Sequence, residues 1–430
     1  MPPAEPLARL ALAVDPRLAA LADPERGPHA EFQRALEGEL DQLLRTLGVP
    51  GQADVSIRAA QTDLAGEWAD IQVNGERCRC PDELLRRTRA VVLGDHGTEE
   101  DQRPIRSWLV GLPADDHALL LAWCQAAVAA ALVENPAALL GPAQVAAYRE
   151  LLGARPDAAW LGSVLRGGLD LKVSVADRAT VDRVLAACAD LPPSDALEEL
   201  LPELRPDVVK LRLPTADLRA LTTSAPDELA GMFADLRGVV FTELGLDCPA
   251  FQLVADDRLR RHALAVTVNH LTLPAWLGLA PDECLVNAPP AAVAAAGLPV
   301  RGPLVNPLSR LPETRIALEA KAESEQRGWT TWTPARYPLV VLAAELRRHG
   351  RCLVDRTMVR KQMARLGVAF PALVRATQAV VPEARLTSVL RSQAAEQRSS
   401  RNLRAIAERL LDAGSATVTD PRQEVAAPPA

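Results

Sequence analysis

Leu161-Gly162-Ser163-Val164-Leu165-Arg166 recurs as Leu386-Thr387-Ser388-Val389-Leu390-Arg391, at an offset of 386 − 161 = 225 residues. The register continues without a gap. Ser174 falls opposite Ser399, Asp177 opposite Asn402, Val181 opposite Ile406 and Leu185 opposite Leu410. A fixed offset held over a whole helical segment points to a duplicated structural unit. The echo extends upstream. Leu43-Leu44-Arg45-Thr46-Leu47-Gly48-Val49 resembles Val240-Phe241-Thr242-Glu243-Leu244-Gly245-Leu246, and Ile71-Gln72-Val73-Asn74 resembles Val266-Thr267-Val268-Asn269. Each half therefore reads as a helix ending in Leu-Gly, a strand, a second strand ending in Asn, and a later helical tail. The spacing between these blocks differs, so the two copies are unequal in length.

The bulk numbers fit a globular chain. Its 430 residues suffice for roughly two to four domains. Hydrophobic residues make up 48% and charged residues 24%, which argues against global disorder. Aromatics are only 3%, so the core must be built from Leu, Val and Ala, with seven Trp as large anchors. A net charge of −7 gives no electrostatic footprint for nucleic acid. Seven cysteines at 78, 80, 124, 188, 248, 284 and 352 include no C-x-x-C pair. Free, mostly buried thiols in a reducing compartment are expected, with no metal site and no cofactor. No secretory leader is evident. The longest apolar stretch, Ala118 to Val133, is shorter than the ~20 residues of a membrane span and is expected to be a buried helix.

Along the chain, residues 1–28 read as an N-terminal extension with one short helix from Glu5 to Ala22. Phe32, Leu36, Leu40, Leu43, Leu44 and Leu47 mark an amphipathic helix over His29 to Leu47, stopped by Gly48. Strands are expected at Asp54 to Ala60 and Trp68 to Cys80, the latter folded back at Asn74-Gly75. Residues 81–93 and 115–152 should be helical, with breaks at Asn135-Pro136 and Gly141-Pro142. Residues 157–190 carry the repeated tail helices, and the prolines at 192–193 and 202–206 mark a junction. In the second half a helix starting at Ser224-Ala225-Pro226-Asp227-Glu228 should run to Leu244. Strands follow at Phe251 to Ala255 and His262 to Asn269. Residues 275–315 look irregular, with one short helix near Ala291 to Ala296. Helices are then expected at Arg315 to Arg327, Ala335 to Arg348, Asp355 to Leu366, Phe370 to Val380 and Leu386 to Leu411. Residues 414–430 read as a disordered tail.

No phosphate-binding loop, dinucleotide fingerprint, zinc-protease helix or nucleophile elbow occurs. Gly94-Asp95-His96-Gly97 is the most site-like small motif, but a surface turn explains it without a nucleophile. His349 and Cys352 lie three residues apart and could meet on one helical face, although a basic helix end accounts for them too.

The second half carries a family resemblance. Gly328-Trp329-Thr330-Thr331-Trp332-Thr333-Pro334, followed by Ala343-Ala344-Glu345-Leu346-Arg347-Arg348-His349, resembles the "GYTVVDP…hlsEviRrHa.eLl" segment of the FHIPEP export-gate family of flagellar and type III protein secretion. Leu353 and Val359 fit its "eLl…qeV" stretch. Pro371-Ala372-Leu373-Val374, Val381-Pro382 and Leu386 to Leu390 resemble "P.Lv.El.P…l..VLq.LL". Ser399 to Ile406 is similar to "vsIRDLr.IleaL", and Arg237 to Gly245 to "iR..ia.elG". The resemblance covers about 222–413, the family's cytoplasmic part. Lys172 to Asp177 echoes the "VSIRD" element, which suggests a degenerate first copy in about 29–205.

The resemblance implies a helix-rich α+β fold of tandem multi-subdomain modules, 29–205 and 206–413. Each would hold a small α/β subdomain followed by a helical one. It implies a cytoplasmic, non-enzymatic docking protein in protein secretion, whose partners are chaperone–cargo complexes or a membrane export apparatus. An adaptor that kept the fold but left secretion is the alternative, and an enzyme using Asp95-His96 a further one. The family's membrane helices are not in this sequence. Its "D-P-x-F-G" docking element aligns with Asn306-Pro307-Leu308-Ser309, where acid and aromatic are both replaced. The positions nominated for partner binding are Asn306, Pro307, Gly328, Trp329 and Thr330. Two modules per chain do not fill an odd-numbered ring without a vacancy, so a monomer or small oligomer is expected.

Overall fold

The computed structural model describes residues 6–416 except 26, 62–63, 65–66, 94–107, 109–116, 154–155, 207 and 225. The Asp95-His96 motif and residues 417–430 lie outside the described residues.

The chain opens with strand β1 (Leu7–Val14), where a helix was expected. Ala8, Leu10, Leu12 and Val14 are buried, while Leu7 and Arg9 are exposed, the two-residue period of a strand. Ala, Leu and Arg are helix formers, and here the tertiary context overrides that preference. Helix α1 (Gly27–Leu47) follows, then β2 (Gln52–Ala59), β3 (Ala69–Val73) and β4 (Glu76–Arg77). The sheet order is β2-β1-β3-β4, with β1 parallel to β2 and antiparallel to β3. Asn74 and Gly75 both have positive φ, 51° and 85°, as a tight two-residue hairpin requires.

Helices α2 (Asp82–Leu93) and α3 (His117–Glu134) come next, α3 ending before a 3-10 turn at Pro136–Leu139. Then come α4 (Pro142–Leu151), α5 (Ala158–Asp170), α6 (Arg178–Ala187) and α7 (Pro193–Leu204). Both breaks in the 115–152 region sit where the prolines place them. The expected junction at 192–206 is instead largely helix α7, because Pro193 occupies the first turn, where its missing N–H costs nothing.

The second half repeats the plan. β5 (Val208–Leu213), α8 (Thr215–Ser224) and α9 (Pro226–Leu244) lead to β6 (Ala250–Ala255), β7 (Ala263–Val268) and β8 (Leu271–Thr272). The order β6-β5-β7-β8 matches the first sheet strand for strand, again with a parallel first pair and an antiparallel second. The central strand β5 and helix α8 are not among the elements expected from the sequence pattern.

Residues 275–317 are not irregular. They hold β9 (Trp276–Leu277), β10 (Glu283–Val286), α10 (Pro290–Ala295), β11 (Val300–Val305) and β12 (Pro312–Ala317). β10, β11 and β12 build a sheet with β13 (Thr331–Trp332), ordered β11-β12-β10-β13, whereas β9 pairs with β7. Its strands are short, and Pro303 and Pro312 lie in the edge hairpin, where a missing N–H is tolerated; this hid the strands from a pattern search. Arg315 is therefore a strand residue, and the helix expected from it is only α11 (Lys321–Gln326).

The chain closes with α12 (Tyr337–Arg348), a 3-10 turn at Gly350–Leu353, α13 (Arg356–Ala369), α14 (Pro371–Val380), α15 (Glu383–Ala395) and α16 (Leu403–Ala416). A loop at 396–402 divides the single helix expected over 386–411 into α15 and α16.

The repeat holds at the level of atoms. Gly48 and Gly245 have φ of 73° and 72°. Val175 N donates to Leu47 O (2.8 Å), and Ser400 N, 225 residues later, donates to Leu244 O (2.9 Å). Lys172 and Gln397, also 225 apart, both take positive φ, 61° and 55°. Asp177 and Asn402 each accept from the backbone N–H three residues ahead, at 3.2 Å in both copies. Helix α14 has no counterpart in the first half.

Candidate protein-docking site

The turn that follows β11 contains the first nominated positions. Asn306 N donates to Leu311 O (3.0 Å), and Arg310 N donates to Asn306 O (2.8 Å). The Asn306 side chain accepts from Leu308 N (2.8 Å) and donates to Glu313 (2.8 Å), which Ser309 Oγ also reaches (3.1 Å). Asn306 and Pro307 are thus buried braces of the hairpin. Burial raises the Glu313 pKa, opposed by its bonds to Asn306 and Ser309. The outward surface is made by other residues: Val305, Leu308 and Leu311, at 42%, 40% and 63% exposed. The sequence signal for them was a leucine on either side of Ser309-Arg310 in a proline-bounded loop, where nothing local required burial.

Gly328, Trp329 and Thr330 lie at the other edge of this sheet. Gly328 (φ 84°) ends α11, with Gly328 N donating to Glu325 O and Trp329 N to Ser324 O, a Schellman-type close. Trp329 packs against a small core of Cys284, Val286, Val293, Leu298 and Ile316. Thr330 is exposed and exchanges hydrogen bonds with Asn287. Both nominated segments sit at the same end of the sheet. Three strand spacings separate them, roughly 14 Å.

A second polar assembly joins the halves. Arg87 of α2 donates to Glu345 of α12 at 2.6 Å and to Pro274 O at 2.7 Å, with its guanidinium 4.3 Å from the centre of the Trp276 ring. Trp276 Nε1 donates to the same Glu345 oxygen (2.6 Å). His349 lies 3.4 Å from Glu345 and 3.8 Å from Glu134. Burial disfavours a charged His349 ring, but the Cys352 thiol and Glu345 outweigh it and raise the pKa. Burial likewise opposes the charge on Glu345, yet Arg87, His349 and Trp276 hold it far below the usual carboxylate range. His349 and Cys352 do meet, as one sequence reading allowed, and both are buried. Nearby, Asn269 Nδ2 donates to Leu171 O (2.6 Å), and His270 N donates to Lys172 O (3.0 Å). Arg391, from the repeated hexapeptide, pairs with Glu198 of α7 at 2.6 Å. These groups join the first and second halves of the chain.

The family model described as the FHIPEP family matches residues 124–426, well over half the chain. The chain belongs to the FHIPEP family. The match begins inside α3, upstream of the start near 222 that the motifs suggested. Among solved structures, the chain is similar to the Chlamydia pneumoniae CdsV and CdsO protein complex, at 20% identity and a TM-score of 0.43, covering 48% of this chain and 60% of that one. It is similar to the Shigella flexneri MxiA protein, at 15% identity and a TM-score of 0.38, covering 50% and 60%. It is also similar to the nonameric EscV cytosolic domain from the type III secretion system, at 14% and 0.35, covering 50% and 60%. The aligned part thus spans about three-fifths of each FHIPEP-type relative. No curated protein matches the chain. Among the described residues, no helix of this FHIPEP chain is long and apolar enough to cross a membrane.

Proposed function

We propose that the chain is a non-enzymatic protein-docking subunit of the FHIPEP class, built as two tandem modules of about 29–205 and 206–413, with β1 completing the first. Family membership over residues 124–426 is the observation that carries this reading. The exposed leucines at the end of the β11–β12 hairpin are the surface it assigns to a protein partner, with Trp329 and Thr330 framing the far edge. Large apolar side chains that nothing in the fold buries are a usual mark of such surfaces. The partner class is a chaperone–cargo complex or another component of an export apparatus, in the cytoplasm. One relative's structure holds CdsO, and another is nonameric. With its modules joined through buried ion pairs, this chain works as a monomer or small oligomer.

Photo-crosslinking in the native host tests the docking surface. A crosslinker at Leu311 should capture a secretion component or its cargo, and one at Glu31 on α1 should not. Equal capture at both positions, or capture only of unrelated proteins, sinks the proposal. Light scattering on the purified chain tests the assembly, and a mass near nine subunits would contradict it. Adaptor work outside secretion would show instead as specific crosslinks to one non-secretion protein.

A further inference from the structure

Charge is distributed very unevenly along this acidic chain. Residues 356–416 hold eleven Lys and Arg against four Asp and Glu, a net of +7, so with −7 for the whole chain the remainder carries −14. These 61 residues are the closing helices α13 to α16. Arg360, Lys361, Ala364, Arg365 and Val368 are exposed along one face of α13, at helical spacing. Arg360 pairs with Glu383, Arg365 with Asp247, and Arg404 with Glu408. Lys361, Arg375, Arg385 and Arg401 are exposed and form no ion pair among the described residues.

Apolar side chains stand among these cations. Val368 is 88% exposed, the most exposed large apolar residue described, at the corner where α13 turns into α14. Phe370 follows at that corner, half-exposed, with the Arg404 guanidinium 4.7 Å from its ring centre. Val380 is exposed at the far end of α14, and Ala372, Ala376 and Ala379 are exposed between them. Helix α14 is the insertion that the first half lacks.

We propose that this corner is a peripheral docking surface for an anionic lipid bilayer. None of the cavities described is lined by residues of α13, α14 or α16. A fluid interface closes around a protruding side chain without needing a pocket. Unpaired cations beside an aliphatic and aromatic wedge supply the electrostatic and the hydrophobic part of interfacial binding. The acidic remainder of the molecule would be repelled, which turns this end toward the bilayer. Nucleic acid fits less well, since Phe370 and Phe241 each lie against an arginine, Arg404 and Arg365, rather than standing free as stacking platforms.

Co-sedimentation of the full chain tests this with phosphatidylcholine vesicles, with and without phosphatidylserine. Binding should require phosphatidylserine and fall as salt rises. The double variant Lys361→Glu/Arg375→Glu should weaken it by more than tenfold, at about fivefold for each charge lost. Val368→Ser should weaken it at unchanged salt dependence. All three positions are exposed, so thermal melting should not shift, and a melt that did would direct the test to Arg385→Glu and Arg401→Glu instead. No partition into anionic vesicles at low salt overturns the proposal. So does binding that the variants leave unchanged, or retention on duplex DNA without vesicle binding.

Discussion

Arg87 and Glu345 are 258 residues apart in the chain and 2.6 Å apart in the fold, both almost without solvent contact. One stands on α2 of the first half, the other on α12 of the second, so this pair reports whether the halves are docked. Removing one partner of a buried pair typically costs about 3–5 kcal/mol, because the other charge is left uncompensated. Arg87→Met and Glu345→Gln should each destabilise the chain on that scale. The double variant should be less destabilised than the sum of the two, as read from a denaturant-unfolding cycle. Additive effects would show that the contact carries no coupling.

His349 gives this joint a pH dependence. Its pKa is raised above the ordinary 6.5, so its contribution to stability is complete below that value and is lost as pH rises through the folded one. Glu345 is shifted down, so its contribution holds above its ordinary 4.5 and disappears only in strong acid. Cys352 is held below its ordinary 9.0, so its contribution is complete above that value and is lost as pH falls through the folded one. The His349 contribution to the melting temperature should therefore fall as pH rises from 6.5. In His349→Asn, which lacks the ionisable ring, that fall should flatten. A variant with the wild-type slope refutes the assignment.

The paired glycines offer a test of the repeat itself. A Cβ on Gly48 would lie 2.3 Å from Ala176 Cα, and one on Gly245 would lie 2.5 Å from Arg401 N, both backbone atoms that cannot swing away. Each also sits at a positive φ that side chains avoid. Gly48→Ala and Gly245→Ala should each destabilise by at least about 1–3 kcal/mol. Gly75→Ala, with positive φ but open space, should cost less, as unfolding midpoints can show.

Asn306 and Leu311 should separate structure from docking. Asn306→Ala removes a partner of the buried Glu313 and the brace of the hairpin, a loss of about 1–3 kcal/mol. Leu311→Asp, on a side chain 63% exposed, should change stability by less than about 0.5 kcal/mol and abolish crosslinking at the neighbouring Leu308. A Leu311→Asp protein that still captures the same partner would place docking elsewhere.

Much of this was written in local sequence. The 3.6-residue spacing of Phe32 to Leu47 and its stop at Gly48 define α1, because an amphipathic helix and its cap depend on near neighbours. Asn74-Gly75 defines a hairpin for the same reason. The Leu-x-Ser-Val-Leu-Arg repeat located two equivalent helices, α5 and α15, and the motif order around Gly328 and His349 pointed to the FHIPEP family.

Tertiary structure decided what depends on distant partners. Strand β1 is a strand because β2 and β3 satisfy its two edges; its Leu and Ala residues would suit a helix equally well. The short strands around Pro303 and Pro312 exist only by pairing across the sheet. Asn306 could be read as a surface residue until Glu313 and the hairpin closed over it, which left Leu308 and Leu311 as the outward side chains. The pairing of Arg87 with Glu345 follows from how the two halves dock. No local spacing encodes that arrangement.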